Sequence, residues 1–229
     1  VDWLGIALLI IAIGSLQFIL EKGQEDDWFN SSLITTLSVI CVFGFYFFIW
    51  RQLVYKYPIV ELRVLKDRNL SLGSIFSFVL GFGLFGSTFI IPLYTQTIMG
   101  WTALQAGWLM IPSTVFTAIM MPFVGKMMER GVSFRILITS GMIIFFIYSM
   151  MAYKVLTPNT PSEAFFWILV IRGVGLGLLS IPITTMALST LKGKEIGQGA
   201  ALSGMLRQLG GSFGVAIIST YLTSDVQVH

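Results

Sequence analysis

Residues 69–125 read NLSLGSIFSFVLGFGLFGSTFIIPLYTQTIMGWTALQAGWLMIPSTVFTAIMMPFVG, a stretch that contains no charged side chain. A helix needs about 20 apolar residues to cross the hydrocarbon core of a bilayer, so this stretch is long enough for two crossings. The tetrapeptide 99–102, Met-Gly-Trp-Thr, divides it, because glycine favours a turn. We therefore predict two membrane-spanning helices, over residues 70–94 and 104–124.

Similar apolar runs lie on both sides of this stretch. Only 11% of the 229 residues are charged and 55% are hydrophobic, whereas an ordinary globular domain is about 25% charged. The predicted fold class is an all-α membrane protein with about seven transmembrane helices. The other five spans are predicted over residues 4–20, 33–50, 134–153, 165–188 and 197–222.

The basic residues indicate the orientation, because Lys and Arg accumulate in cytoplasmic loops. One set of alternate loops holds only Lys22 and Lys154, and we place that set outside the cytoplasm. The other set is predicted to be cytoplasmic and holds Arg51, Lys56, Arg63, Lys66, Arg68, Lys126, Arg130, Arg135, Lys192 and Lys194.

Several classes of function are disfavoured by composition. The net charge of +3 is spread among apolar spans, whereas nucleic-acid binding needs basic residues gathered on one face. Cys41 is the only cysteine and His229 the only histidine, so no Cys-based zinc site can form. We find no nucleophile paired with a base and no paired carboxylates inside the membrane. We expect no enzyme, no cofactor, no metal and no nucleic-acid partner.

Two arginines lie inside predicted spans. A charge at the centre of a bilayer costs about 2.5–3.5 kcal/mol on insertion scales and usually faces a cavity or a partner. Arg207 lies about ten residues into its span. Two roles would account for a charge at this depth: a functional polar group, or a structural contact in which the side chain reaches the interface or holds two helices together. Arg172 is closer to the outer end of its span, so we favour a structural role there, with the side chain reaching the interface. No Asp or Glu lies well inside any span.

A substrate cavity or gate is predicted from polar and deformable side chains near the centres of the spans. Large Phe and Met side chains suit loosely specified hydrophobic ligands, although lipid-facing or core positions explain the same residues. The candidates are Arg207, Gln208, Gln96, Phe85, Phe89, Thr114 and Met110.

Glycines and prolines punctuate the spans. The glycine runs at 81–86 and 173–177 lack the strand and acidic residue of a dinucleotide site, so we interpret them as close helix contacts, together with Gly210 and Gly214. Four prolines allow kinks, static or mobile, where a transporter bends. They are Pro92, Pro112, Pro122 and Pro182.

Five sequence segments, taken in order, are distinctive. They are Asp2-Trp3-Leu4-Gly5 at the start of the first span, Pro58-Ile59-Val60-Glu61-Leu62-Arg63, Lys66-Asp67-Arg68-Asn69-Leu70, Thr102-Ala103-Leu104-Gln105-Ala106-Gly107 and 203–214, SGMLRQLGGSFG. In this order they resemble the EmrB/QacA-type fourteen-helix drug:proton antiporters of the major facilitator superfamily, and the first span is similar to the seventh of that family.

The connector after the fourth span is similar to the cytoplasmic Gly-x-x-x-Asp-Arg loop of the superfamily. Gly125, Glu129 and Arg130 occupy its positions, with Arg135 beyond, but Glu replaces Asp and the later glycine stands at Gly131. The resemblance implies a conformational latch made of ion pairs between helix ends. A carboxylate and an arginine within reach are its physical requirement.

The resemblance also implies a domain organisation. Residues 1–57 would be the linker hairpin between two bundles, and residues 58–229 an incomplete C-terminal six-helix bundle that lacks its last helix. We expect the chain to be a fragment, with the proton-coupling residues in an N-terminal bundle outside it.

The expected function is export of hydrophobic or amphipathic compounds, as in multidrug efflux, by proton antiport and alternating access. The expected partners are the lipid bilayer, small hydrophobic substrates and protons. The resemblance also implies a periplasmic adaptor protein, because relatives in double-membrane bacteria often pair with one. The expected location is the bacterial cytoplasmic (inner) membrane, as a multi-pass protein. A dedicated exporter of one metabolite, such as a siderophore or a lipid-like molecule, is one alternative. A non-transporting membrane sensor or scaffold is another.

Overall fold

The protein is described by a computed structural model that covers residues 2–23, 28–55, 65–155 and 162–228, with side chains at all of these except 162, 194 and 221–228. The described ranges form seven α-helices, a short 3-10 turn at Trp28–Asn30, and no strand. The helices are α1 (Trp3–Lys22), α2 (Ser32–Val54), α3 (Arg68–Thr97), α4 (Ala103–Glu129), α5 (Phe134–Val155), α6 (Ser162–Leu188) and α7 (Lys194–Val228).

Each of the seven helices is long and apolar enough to cross a membrane. Even the shortest, α1 with 20 residues, spans about 30 Å at 1.5 Å per residue, the thickness of a hydrocarbon core. The predicted fold class and number of spans are therefore confirmed. The helices extend past several predicted ends, and α6 begins at Ser162, three residues before the predicted start of its span at 165.

The chain divides into two compact units, and the first comprises Val1–Gly86 and Thr190–His229. Within it, α1 and α2 pack as an antiparallel hairpin, in which the Cys41 thiol donates to the Ala12 carbonyl at 3.6 Å. At the other end of the hairpin, the Asp2 carboxylate accepts from Arg51 Nε at 2.9 Å and from Nη2 at 2.7 Å. The hydrogen bond from Arg51 lowers the pKa of Asp2 below its ordinary value.

In the first unit, α3 and α7 touch backbone to backbone. A Cβ added to Gly81 would lie 1.9 Å from the carbonyl oxygen of Arg207, and one added to Gly210 would lie 2.1 Å from that of Phe78. One added to Gly214 would come within 2.7 Å of the Phe82 carbonyl oxygen. No side chain fits at these points, so the interpretation of Gly81, Gly210 and Gly214 as helix-contact residues is confirmed.

The N-terminus of α3 is tied to the turn that precedes α7. The Asp67 carboxylate accepts from the backbone N–H of Leu70 at 2.9 Å, as an N-cap does, and from the Thr190 hydroxyl at 2.7 Å. These two donors lower the pKa of Asp67, with the Leu70 N–H making the larger contribution. The ionised form of Asp67 therefore stabilises both the helix start and this contact.

The second unit, Ser87–Ser189, contains the end of α3 together with α4, α5 and α6. Alternate glycines of α6 face two neighbours. A Cβ on Gly173 would lie 2.4 Å from the Ser113 carbonyl oxygen of α4, and one on Gly175 would lie 3.2 Å from the Phe145 nitrogen of α5. The Thr117 hydroxyl of α4 also donates to the Gly173 carbonyl at 3.0 Å. The core beside these contacts contains Ile91, Tyr148, Phe165, Ile168 and Leu169.

The four prolines lie inside helices that continue past them. Pro92 is in α3, Pro112 and Pro122 are in α4, and Pro182 is in α6. That these prolines kink the helices, statically or as mobile points, remains a prediction.

Gly210→Ala should destabilise the first unit, because its methyl group would meet the backbone of α3 rather than a flexible side chain. The expected loss is about 1–3 kcal/mol, the usual cost of overpacking. Thermal unfolding of the detergent-purified protein measures it.

Gly204→Ala is the matched control in the same helix, since nothing lies within 4 Å of its added Cβ. There the better helix propensity of alanine should stabilise α7 by up to about 1 kcal/mol. Equal melting temperatures for the two variants would contradict the packing described above.

Thr190→Val should lower the melting temperature at pH 7, because it removes one donor from the ionised Asp67 carboxylate. The pKa of Asp67 is lowered in the folded protein, so this stabilisation is present above the ordinary Asp pKa of about 3.9 and is lost as the pH falls through the lower folded value. The difference from the wild type should therefore shrink in melts below about pH 4. A difference independent of pH would mean that Thr190 acts only through packing.

Candidate functional site

The second unit contains a buried arginine that donates hydrogen bonds to three hydroxyl groups. Arg172 of α6 is only 5% exposed. Its Nε donates to Ser87 Oγ at 2.9 Å, its Nη1 donates to Ser113 Oγ at 2.7 Å, and its Nη2 donates to Thr88 Oγ1. We call Arg172, Ser87, Thr88 and Ser113 the Arg172 cluster. It joins α3, α4 and α6.

The fourth helix of this unit also reaches the cluster. Tyr148 of α5 is 3% exposed and forms a side-chain hydrogen bond with Ser87. Its ring lies 5.3 Å from the ring of Phe145, which belongs to the same helix. Side chains from α3, α4, α5 and α6 therefore converge on one polar centre inside an otherwise apolar set of helices.

The backbone contact between α4 and α6 brings the cluster together. Gly173 directly follows Arg172, and its Cα faces the Ser113 carbonyl so closely that no side chain would fit. The same approach of α6 to α4 brings the Arg172 guanidinium within reach of the Ser113 hydroxyl. Burying a charge is costly unless it is hydrogen-bonded, and the hydroxyls supply those hydrogen bonds. They carry no charge themselves, and arginine does not lose its proton in proteins. The cluster is thus a fixed positive charge.

The structural role expected of Arg172 agrees with these contacts, but its side chain is buried among α3, α4 and α6 instead of reaching outward to the membrane interface. Two observations explain the difference. The helix starts at Ser162, so Arg172 is about ten residues, or roughly 15 Å, from its beginning. Three hydroxyls in neighbouring helices then provide acceptors at that depth. The sequence could have indicated these acceptors. Ser87, Thr88 and Ser113 interrupt long apolar runs, and hydroxyl side chains in such positions commonly form hydrogen bonds between membrane helices.

Arg207 lies in the first unit, where its side chain is half-buried in α7 and its backbone packs on Gly81 of α3. Phe85 packs against the same pair of helices, because a Cβ on Gly211 would lie 2.5 Å from its ring. Gln208 is exposed. The structure therefore places Arg207 and Phe85 on one helix pair, and their role in a cavity or gate remains a hypothesis.

The other cavity candidates belong to the second unit. Met110 packs against the buried core of that unit, and Phe89 is half-buried. Gln96 and Thr114 are exposed, and each donates to a carbonyl of its own helix: the Gln96 amide to Pro92 at 3.1 Å, and the Thr114 hydroxyl to Met110 at 3.3 Å. None of these four belongs to the Arg172 cluster.

The expected latch residues surround the end of α4. Glu129, Arg130 and Arg135 are exposed, and among the described residues they form no ion pair. Gly131 has a φ of +86°, and the following N–H, of Val132, bonds to the Met127 carbonyl at 3.1 Å. This pattern caps the helix with a left-handed glycine. Gly125 lies inside α4 with open space beside its Cα.

An aromatic cleft of about 650 Å³ lies beside α4 and α6 in the second unit. Within the described ranges, no group of three His, Cys, Asp or Glu side chains could hold a metal ion. The cleft is lined by Trp101, Gln105, Trp108, Leu109, Pro112 and Phe166.

The chain resembles known export and resistance proteins over its whole length. It is 34% identical to the fatty acid resistance protein FarB of Neisseria gonorrhoeae and 31% identical to the multidrug export protein EmrB of Escherichia coli K12, with all of this chain covered in both cases. It is 25% identical, again over its full length, to the colistin resistance protein EmrB of Acinetobacter baumannii. The chain spans about half the length of these relatives, 45% of FarB and 44% of each EmrB.

The expected location agrees with these findings, since the described residues form seven helices long and apolar enough to cross a membrane and the relatives are bacterial. The sequence matches the pattern that defines the Major Facilitator Superfamily over residues 3–215. The resemblance to EmrB-type proteins noted above is thereby confirmed. The chain belongs to the Major Facilitator Superfamily, a family of membrane transporters and not of enzymes.

Proposed function

We propose that the complete protein exports hydrophobic or amphipathic compounds, as in multidrug efflux, by alternating access driven by proton antiport. The observation that carries this proposal is the similarity of the whole seven-helix chain to FarB and EmrB, whose names describe resistance and export. Small substrates and the lipid bilayer are its partners, and protons are the coupling ion of the mechanism.

Within that mechanism, α3 to α7 are proposed to contribute helices to the transport path. The domain assignment from the sequence, with a linker hairpin over residues 1–57 and a C-terminal bundle over 58–229, is part of the proposal. The antiparallel α1–α2 hairpin and its Asp2–Arg51 ion pair support the first part. We assign proton carriage to the N-terminal bundle that the resemblance implies, because no Asp or Glu lies well inside the described spans.

The two intramembrane arginines have different roles in this proposal. The Arg172 cluster holds α3, α4 and α6 together in the second unit, since each guanidinium nitrogen bonds to a hydroxyl. Arg207 is half-buried, so its side chain is the polar anchor or gating group of this chain. Gln208 and Phe85 of the first unit remain proposed contributors to a cavity or gate. So do four residues of the second unit, Phe89, Gln96, Thr114 and Met110.

The latch is proposed to close in another state of the transport cycle. Glu129, Arg130 and Arg135 are exposed around the end of α4, where either arginine could pair with a carboxylate. A periplasmic adaptor protein is proposed as a further partner, by analogy with the family alone.

A dedicated exporter of one lipid-like metabolite is the second candidate function. The name of FarB, which specifies fatty acid resistance, favours it. Nothing in the described part of the chain favours a membrane sensor or scaffold.

Cells that lack their own efflux pumps should expel hydrophobic dyes when they express the complete reading frame, and an uncoupler should abolish this efflux. The reason is that antiport draws its energy from the proton gradient. Fluorescence of accumulated dye gives the measurement. The uncoupler should leave accumulation unaltered in cells with an empty vector. Absence of efflux for several dissimilar dyes, with the protein present in the membrane, would contradict multidrug export.

Arg207→Ala in the complete protein should reduce dye efflux by about tenfold or more at unchanged membrane abundance, because it removes a half-buried charge that the path uses. Immunoblotting of membranes supplies the abundance. Lys154→Ala is the matched control, since Lys154 is exposed near the end of α5. Wild-type efflux by Arg207→Ala at equal abundance would leave Arg207 with a structural role only.

A further inference from the structure

The aromatic cleft of the second unit has walls that neighbouring rings hold in place. The Trp101 ring lies 6.1 Å from the ring of Phe165, which is 2% exposed and belongs to the core of that unit. The Phe166 ring meets the Trp167 ring edge-on, with 5.4 Å between their centres. A volume of about 650 Å³ is within the range of small-molecule sites, about 300–1,000 Å³. The cleft is therefore largely formed before a ligand arrives.

The polar groups of the cleft are neutral hydrogen-bond donors. Gln105 Oε1 accepts from the Thr102 backbone N–H at 2.9 Å and from the Thr102 hydroxyl at 3.1 Å. These bonds orient the carboxamide, whose amide nitrogen can donate to a ligand, as can the indole nitrogens of Trp101 and Trp108. Among the described residues that line the cleft, none is charged. The cleft can thus bind ligand oxygens by hydrogen bonds and an apolar group by aromatic contact.

The cleft extends along α4 over the depth of one membrane leaflet. Trp101 lies just before the helix, and Leu109 and Pro112 line the cleft farther along it. From Ala103 to Pro112 the helix rises about 14 Å, close to half of a hydrocarbon core of about 30 Å. The orientation predicted from the basic loops places the Trp101 end outside the cytoplasm. The cleft therefore corresponds to the outer leaflet.

A carboxylate lies near the outer end of the cleft. Glu163 is exposed, is the second residue of α6 and precedes Phe166 by three positions. Residues three apart are neighbours on one side of a helix, so Glu163 lies one turn beyond this wall of the cleft. A ligand cation is attracted by the carboxylate and by the faces of tryptophan rings. An anionic head group would be repelled.

We propose that the cleft binds one zwitterionic phospholipid of the outer leaflet. Its ammonium group would lie between Glu163 and the tryptophan rings, and one acyl chain would lie along Leu109 and Pro112. The Gln105 amide and the indole N–H groups would donate to phosphate and ester oxygens between them. The order of groups in the lipid thus matches the order of groups along the cleft. Such a lipid would join α4 to α6, and its binding is independent of the proposed export function.

Photo-cross-linking of a lipid to the complete protein tests this site. The protein is reconstituted into phosphatidylglycerol vesicles that contain a trace of phosphatidylethanolamine with a diazirine in its acyl chain. Mass spectrometry of the peptides should find the adducts concentrated on residues 104–112 of α4. Unlabelled phosphatidylethanolamine should compete with the probe, and phosphatidylglycerol, which carries no ammonium group, should compete about tenfold less well.

Variants separate recognition of the head group from general contact with lipid. Glu163→Gln should lower capture of the probe by about fivefold and narrow the difference between the two competitors, because it removes the carboxylate. Trp108→Ala should lower capture by a similar factor, whereas Trp108→Phe should keep most of it, since an aromatic face remains. Trp50→Ala is the matched control. Trp50 is 58% exposed in α2 and Trp108 is 66% exposed, so both changes remove an accessible indole, and only the second should alter capture.

Three outcomes would overturn the lipid site. Adducts spread evenly over all exposed helices would make the cleft an ordinary part of the lipid boundary. Equal competition by phosphatidylglycerol would exclude recognition of the ammonium group. Capture at the wild-type level by both Glu163→Gln and Trp108→Ala would show that these side chains do not hold the lipid. None of these measurements requires transport, so failure of the lipid site would leave the export function standing.

Discussion

The close approach of helix backbones at glycine is the constraint on which the rest of this structure depends. Lipid tails are as apolar as leucine, so helices in a bilayer gain no hydrophobic free energy by burying apolar side chains against each other. Their association therefore relies on close packing and on polar contacts between helices. Gly81 and Gly210 let α3 and α7 meet in the first unit, and Gly173 lets α6 meet α4 in the second. The Arg172 cluster depends on the contact at Gly173, where α6 lies against the Ser113 carbonyl of α4. Arg172 precedes Gly173 in the chain, and its guanidinium donates to the Ser113 hydroxyl.

Several polar contacts in the described part of the chain lie at helix ends, and the Arg172 cluster lies in the interior. At the ends, Asp2 pairs with Arg51, and Asp67 joins the start of α3 to Thr190. In the interior, hydroxyls provide the acceptors for a charge that could not remain there without them. The hydrogen bonds from the Arg172 guanidinium to these hydroxyls join α3, α4 and α6 in the second unit.

The helical fold class and the number of spans could be predicted from sequence, whereas the Arg172 cluster could not. Span lengths follow from the thickness of the bilayer, and the glycine spacing at 210 and 214 indicates a helix contact directly. The depth of Arg172 was misjudged, since it depends on where α6 begins and on acceptors in helices distant along the chain. The positions of Gln96 and Thr114 illustrate the same limit. Their polarity suggests a cavity, but their donors bond to carbonyls of their own helices, a local option that a sequence pattern does not exclude.

The burial of Cys41 has a practical consequence for spectroscopy. Its thiol lies between α1 and α2, 7% exposed and directed at the Ala12 carbonyl. A water-soluble maleimide reacts with exposed thiolates, so this native thiol should contribute little background. Pairs of reporter cysteines can then be introduced on exposed positions of α4 and α5 for spin labels or fluorophores without first replacing Cys41. Distances between such labels would follow the helices through a transport cycle while the α1–α2 hairpin keeps its natural packing.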